Sequence, residues 1–280
     1  MPTTPLRGLT VLLTGATDGI GAHTAMRLAR DGALVVAHGR DPAKVARTLA
    51  EVRDAGGQAE GILADLSSLA EVARLAAETA ERFPTLDVLI NNAGVGFGAD
   101  MRRREVSRDG HELRFAVNYL APYLLTEELL ARGLPRRAVV HVASIGQEAV
   151  DLDDLMVENS YNGMSAYRRS KLAMIMHAFD VAAAHPGTAA NALHPGTLLD
   201  TKMVREPGIP PRGPASRGSD ATVAVLLASL AGTTGAYFDD DKPDEPEPPA
   251  RDPAARAALR AKTEALVRTH RLTAAPASRG

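Results

Sequence analysis

The chain has 280 residues, is 45% hydrophobic and 24% charged, and sets 32 basic against 34 acidic residues for a net charge of −2. This is ordinary globular composition, long enough for one large α/β domain, with no electrostatic footprint for nucleic acid. The absence of cysteine removes disulfides, thiolate metal sites and cysteine nucleophiles; no apolar run reaches a membrane span, and the opening MPTTPLRG lacks a signal-peptide core, so a cytoplasmic protein without a membrane partner is expected.

Short apolar runs alternate with helical patterns along the chain. Strands are predicted over 9–14, 33–38, 58–63, 86–91, 138–143, 189–194 and 235–238. Helices are predicted near 19–31, 43–55, 68–83, 109–132, 165–184, 218–231 and 253–269. Seven strands fit a single doubly wound sheet, mainly parallel, with helices on both faces. The whole chain, 1–280, reads as one domain with a core over about 8–238. Residues 198–217 carry Pro207, Pro210, Pro211 and Pro214 and follow the end of a strand, where ligands bind in such sheets. They read as a mobile lid over a substrate or as a plain surface loop. Residues 239–252 read as an acidic, Pro-rich connector, 253–270 as a C-terminal helix, and 273–280 as a disordered tail.

Between the first strand and the first helix stands TGATDGIG, Thr14 to Gly21. Glycines at 15, 19 and 21 permit a tight turn and close backbone approach to a pyrophosphate, which then faces the unpaired N–H groups and positive end of a helix. The second strand ends in His38-Gly39-Arg40. No carboxylate stands at Gly39, where an acid reading the NAD ribose is expected, while Arg40 can pair with a 2′-phosphate. NADP(H) is therefore favoured over NAD(H). Asp41-Pro42 suits a helix start, Asp18 counts slightly against a phosphate, and Asp65 can accept from an adenine amine or cap a helix.

In SAYRRSKLAM, Tyr167 and Lys171 stand at i and i+4, on one helix face. A nearby ammonium favours phenolate, and lowering a tyrosine pKa by about three units needs roughly 4 kcal/mol. Four further features fall at strand ends or on the next helix: Asn91-Asn92-Ala93-Gly94, Asn118 in FAVNYLAPYLLT, Ser144 in HVASIG, and His194-Pro195-Gly196-Thr197.

Together these motifs resemble the short-chain dehydrogenase/reductase family over about residues 8–238. The resemblance implies a Rossmann-type domain and a tetrad of Asn118, Ser144, Tyr167 and Lys171. Ser144 would bond the substrate oxygen and Tyr167 would act as general acid or base. Lys171 would hold the nicotinamide ribose and lower the Tyr167 pKa, and Asn118 would hold a water. The cofactor would lie against Thr14, Gly15, Thr17, Asp18, Gly19, Ile20 and Gly21, then Gly39, Arg40, Asp65 and Leu66. It would continue along Asn91, Ala93 and Gly94, then Tyr167 and Lys171, and finally Pro195, Gly196, Thr197 and Thr201. Either Thr197 or Thr201 would meet the carboxamide. The gap of 23 residues between Ser144 and Tyr167 resembles the retinol dehydrogenase-like and protochlorophyllide reductase-like branch.

The resemblance also implies a homodimer or homotetramer paired through the helices at 109–132 and 165–184. The expected activity is an NADP-dependent interconversion of alcohol and carbonyl on a small organic substrate. An epimerase on the same fold, or a non-catalytic NADP-binding sensor or scaffold, remains open. No metal site is expected; Asp151, Asp153 and Asp154 read as a polar loop. His111-Glu112 begins like a zinc-protease helix, but position 115 is Phe. Tyr161 lacks a lysine four residues on, since Ser165 is there.

Overall fold

The computed structural model describes residues 6–272. Its strands are β1 (Thr10–Leu13), β2 (Leu34–Gly39), β3 (Gln58–Leu63), β4 (Val88–Asn91), β5 (Ala138–Val142), β6 (Ala189–His194), β7 (Tyr237–Asp239) and β8 (Lys242–Asp244). They form one sheet in the order β3-β2-β1-β4-β5-β6-β7-β8, parallel except for β8. All seven predicted strands are present. The sheet has eight strands rather than seven because the acidic stretch after β7 does not simply leave the fold. Asp240, at φ +55°, begins a tight turn, and Lys242–Asp244 pairs back on Tyr237–Asp239. Pro243 is tolerated because β8 is an edge strand, and its exposed charges discourage further pairing.

The helices are α1 (Gly19–Arg30), α2 (Pro42–Asp54), α3 (Leu69–Arg82), α4 (Leu113–Phe115), α5 (Ala121–Leu130), α6 (Gly163–Ala184), α7 (Lys202–Arg205), α8 (Ala215–Leu230) and α9 (Pro253–Val267). A π-helical turn, Ala116–Leu120, joins α4 to α5, so the helix predicted over 109–132 is broken by one wide turn. Side chains alternate across each strand. Leu12, Val36, Leu89 and Val139 therefore feed a core under α3, α5 and α6. Val11, Leu13, Val35, Ile90 and Val140 feed a second core with α1 and α8. Each fully buried aliphatic side chain contributes about 1.5–3 kcal/mol. The result is a rigid sheet whose carboxyl ends carry the polar residues.

The C-terminal helix α9 packs on the α5/α6 face. Leu259, Thr263 and Val267 are its buried residues. The Tyr119 hydroxyl bonds Thr263 Oγ1 at 2.9 Å, the Tyr123 hydroxyl donates to Glu264, and Arg256 and Arg260 both reach Asp180 on α6, at 2.8 and 2.6 Å. The tail expected at 273–280 lies outside the described residues. No helix among the described residues is long and apolar enough to cross a membrane.

Candidate active site

Three polar side chains sew the glycine turn to the sheet. Thr14 Oγ1 accepts from the N–H groups of Asn92 and Ala93 at 3.0 and 3.1 Å. Asn92 Nδ2 donates to the carbonyls of Thr14 and Gly15. His38 is buried, and burial lowers its pKa to about 4, so it is neutral. Its Nε2 lies 3.1 Å from the Ala64 carbonyl and must carry the proton, which leaves Nδ1 to accept from Gly15 N–H at 3.3 Å. Gly15 takes φ +67°, and a Cβ there would lie 2.9 Å from Ala93 Cα. At Gly21 a Cβ would stand 2.0 Å from the Gly15 carbonyl oxygen, so no larger residue fits. The turn expected to cradle a pyrophosphate is thus tight and braced against the sheet, with Asp18 capping α1 through Gly19 N–H. Asp18 also pairs with Lys44 at 3.2 Å, so part of its negative charge is already answered.

Beyond the turn, Arg40 is exposed at the mouth of a cavity of about 490 Å³ shared with Asp41, Asp65, Glu71, Arg74 and Arg108. Arg74 and Arg108 are engaged, with Glu78 and with Glu71 respectively. The Arg40 side chain makes no hydrogen bond or ion pair among the described residues. Asp65 accepts from Ser67 N–H and pairs with Arg108 at 3.4 Å. Burial alone would raise its pKa, but the Ser67 bonds and the charges of Arg108 and Arg40 hold it below the ordinary value. The helix cap itself is Ser68, and Leu66 is buried beneath it. Gly39 has less room than its size suggests: a Cβ there would lie 2.7 Å from Thr17 Cγ2 and 2.9 Å from Val45 Cγ2.

At the other end of the cleft, Asn118 sits in the π turn, a distortion that recurs at functional sites. Its amide is fully used. Oδ1 accepts from Val95 N–H at 2.8 Å, while Nδ2 donates to the Val95 carbonyl and to Ser170 Oγ. Asn118 Oδ1 and Lys171 Nζ converge over Gly94, within 3.3 and 3.6 Å of where its Cβ would stand. Lys171 donates to the Val142 carbonyl at 2.8 Å and lies 5.8 Å from the Tyr167 ring centre. Burial lowers its pKa to about 8. Tyr167 moves against expectation: burial raises its pKa above the ordinary value, with the Ser144 hydroxyl pulling the other way. Phe97 stacks edge-on against the Tyr167 ring, with centres 6.0 Å apart.

The short chain dehydrogenase family matches residues 9–208, over the glycine turn and all four residues of this cluster. The chain belongs to the short-chain dehydrogenase/reductase family. It is 34% identical to retinol dehydrogenase 14 of Mus musculus over 88% of this chain and 82% of that protein. It is also 34% identical to a candidate daunorubicin C-13 ketoreductase, DnrU, of Streptomyces sp. (strain C5), over 92% and 90% of the two chains. Among solved structures, a protein from Mycobacterium Paratuberculosis superposes with a TM-score of 0.77 at 30% identity, over 95% of this chain and 96% of that one. This short-chain dehydrogenase/reductase is therefore an oxidoreductase of alcohol and carbonyl groups, in the retinol dehydrogenase-like branch.

Some expected site residues of this oxidoreductase face elsewhere. The Asn91 side chain turns into the protein, to Thr126 Oγ1 at 3.0 Å and His141 Nδ1 at 3.3 Å, and it is Asn92 that braces the glycine turn. Thr197 Oγ1 is tied to His194 Nε2 at 3.0 Å. Thr201 instead packs on the turn, its Cγ2 within 3.1 Å of a Cβ placed on Gly19. The segment read as lid or loop lies across the cleft: α7 brings Met203 onto Gly94 and Gly96. Asp151, Asp153 and Asp154 form turns, Asp151 and Asp154 accepting backbone N–H groups.

His38 was missed as a site residue, and Asn92 was read only as part of the run from Asn91 to Gly94. His38 signals itself only as a polar residue in the otherwise apolar LVVAHG. Two residues set aside on sequence also matter. Glu112, fully buried, accepts from the Tyr161 hydroxyl at 2.9 Å and caps α4 through Phe115 N–H at 2.7 Å. Arg114, also buried, joins Glu112 at 3.4 Å and Glu105 at 2.7 Å, and donates to the Gly96 carbonyl at 3.0 Å. This network holds the loop that carries Phe97 against Tyr167.

Proposed function

We propose that the chain is an NADP(H)-dependent oxidoreductase that interconverts an alcohol and a carbonyl on a small organic substrate, with Tyr167 as acid/base. The observation that carries this reading is the convergence of Lys171 and Asn118 over Gly94, with Ser144 bonded to Tyr167 in the same cluster and Ala93, the neighbour of Gly94, packed on Gly15 of the glycine turn. The bare backbone at Gly15 and Gly21 fits a dinucleotide pyrophosphate, and Arg40, whose side chain makes no hydrogen bond or ion pair among the described residues, fits a 2′-phosphate. A bound nicotinamide supplies the hydride. Ser144 holds the substrate oxygen, and Tyr167, protonated at neutral pH like an ordinary tyrosine and more so for its burial, gives that oxygen a proton. Lys171 places a positive charge beside the forming phenolate. Turnover with carbonyl substrates separates this from an epimerase, which would return its cofactor unchanged, and from a silent binder.

Cofactor choice tests Arg40. A charge-assisted contact to a phosphate is worth roughly 1.5–3 kcal/mol, which gives NADPH a preference of about ten- to hundredfold over NADH. Arg40→Leu should erase most of it by weakening NADPH, read by fluorescence titration of both cofactors. Equal affinities in the wild type overturn the NADP assignment and leave the oxidoreductase standing. Gly39→Asp is a poor companion test, because its Cβ would press on Thr17 and Val45 before any charge acts.

The position of α9 bears on assembly. Pairing through the faces of α5 and α6 needs a surface that α9 covers with Tyr119, Tyr123 and Asp180 as its partners. We infer a monomer in place of the homodimer or homotetramer that the family resemblance implies. Light scattering at micromolar concentration should return the 29.5 kDa chain mass. A dimer or tetramer mass defeats this reading.

A further inference from the structure

Arg168 follows Tyr167 on α6 and is exposed, whereas its neighbour Arg169 is committed to Glu148 at 3.0 Å. The Arg168 side chain makes no hydrogen bond or ion pair among the described residues. It does not project freely into solvent. Its stem lies over Gly146, where Arg168 Cγ and Nε come within 3.5 and 3.8 Å of the position a Cβ would take. Ser144 Oγ lies 3.5 Å from that same point. Arg168 and Ser144 therefore flank Gly146 together, which sets the guanidinium arm on the same side of this loop as the hydroxyl that would hold the substrate oxygen. Phe97, edge-on to Tyr167, and Ile145, 52% exposed, supply apolar surface near the site, and Ile145 also lines the more acidic cavity beyond it.

We propose that Arg168 forms an anion subsite of the substrate pocket and binds a carboxylate carried a few bonds from the reacting carbonyl. The proposal rests on the carbonyl-reduction reading above. A guanidinium offers a planar fork that matches a carboxylate in two parallel hydrogen bonds. One edge of such a substrate is held by Ser144 and Tyr167, and the carboxylate by Arg168, so the carbonyl is oriented as well as bound. A carboxylate is disfavoured in the adjoining cavity lined by Gln147, Tyr237, Asp244, Glu245 and Glu247, where like charges repel it. Glu148, just beyond Gly146 in sequence, already holds Arg169 and Ser165 and does not compete for Arg168.

Matched probes test this. Phenylglyoxylate and 3-benzoylpropionate, each beside its methyl ester, place a carboxylate at two distances from a ketone whose phenyl ring suits the apolar surface near the site. Two quantities are measured. One is kcat/KM for reduction; the other is the calorimetric Kd of acid and ester for the protein saturated with oxidised cofactor, a complex that cannot turn over. The wild type should favour at least one acid over its ester by roughly ten- to hundredfold in both. Arg168→Leu should bring that ratio near unity, Arg168→Lys should keep part of it, and Arg168→Glu should invert it. Equal treatment of acid and ester by the wild type, or an acid preference that survives Arg168→Leu, overturns the subsite while leaving carbonyl reduction intact. Acid-selective binding that needs Arg168, with no reduction of either partner, sustains the subsite and counts against the redox reading instead.

Discussion

Tyr167→Phe is expected to lower kcat for carbonyl reduction by a factor of roughly 10²–10⁴, the range a positioned general acid supplies, while cofactor affinity stays within about threefold of wild type, because the lost proton acts only in the transition state. The phenyl ring keeps the edge-on contact with Phe97, so the fold around the site should survive, and an unchanged melting temperature would confirm it. Steady-state kinetics paired with cofactor titration is the measurement. A variant that retains a tenth of wild-type turnover removes Tyr167 from the acid/base role. The sign of the pH dependence follows from burial. The proton-donating form of Tyr167 exists below its pKa, which lies above the ordinary tyrosine value, so reduction should not be limited by this group through the neutral range. Oxidation of an alcohol needs the phenolate and should rise with pH. Lys171, whose pKa burial lowers to about 8, carries less positive charge over the same climb.

What the sequence disclosed and what it hid differ in the range of the interactions involved. The glycine turn was legible because its requirement is local: Gly15 needs positive φ, and Gly21 stands where any Cβ would strike the carbonyl of Gly15. The Tyr167–Lys171 pair was legible because a helix places i and i+4 on one face. The strands were legible because burial on both faces leaves unbroken apolar runs. Contacts between distant parts of the chain were not. β8 carries a proline and no apolar pattern, and it exists only because β7 offers an edge. The π turn at Asn118 leaves no composition signal in FAVNYLAPYLLT. The packing of α9 over α5 and α6 was hidden too, because nothing in those helices' own residues announces it. Lys171 looked able to lower the Tyr167 pKa, yet burial, which spacing cannot reveal, dominates and raises it.

Glu112 and Tyr161 each resembled the start of a different motif, and each failed it one residue at a time. Folding brings them together from 49 positions apart around Arg114. Arg114→Leu should cost roughly 3–5 kcal/mol of stability, the usual consequence of leaving one member of a buried ion pair without its partner. Glu112 is fully buried and cannot recover its counter-charge from water, and the Gly96 carbonyl loses its donor in the same step. The Tyr161 hydroxyl and Phe115 N–H still donate to Glu112, but they are neutral and cannot answer its charge. Glu112→Gln should cost less than Arg114→Leu, because Arg114 keeps its pair with Glu105, the amide oxygen can still accept from Phe115 N–H, and the Tyr161 hydroxyl can turn to accept from the amide NH2. Adding it to Arg114→Leu should recover part of the loss, since an uncharged side chain no longer needs the guanidinium. Urea unfolding of the three variants, with the midpoint compared at constant m, measures the order. Turnover should also fall in Arg114→Leu at temperatures where it remains folded, because Gly96 holds the loop that sets Phe97 against Tyr167. A midpoint unchanged by Arg114→Leu would mean that Tyr161 and Phe115 alone satisfy Glu112, and that the guanidinium adds nothing to the wall of the site.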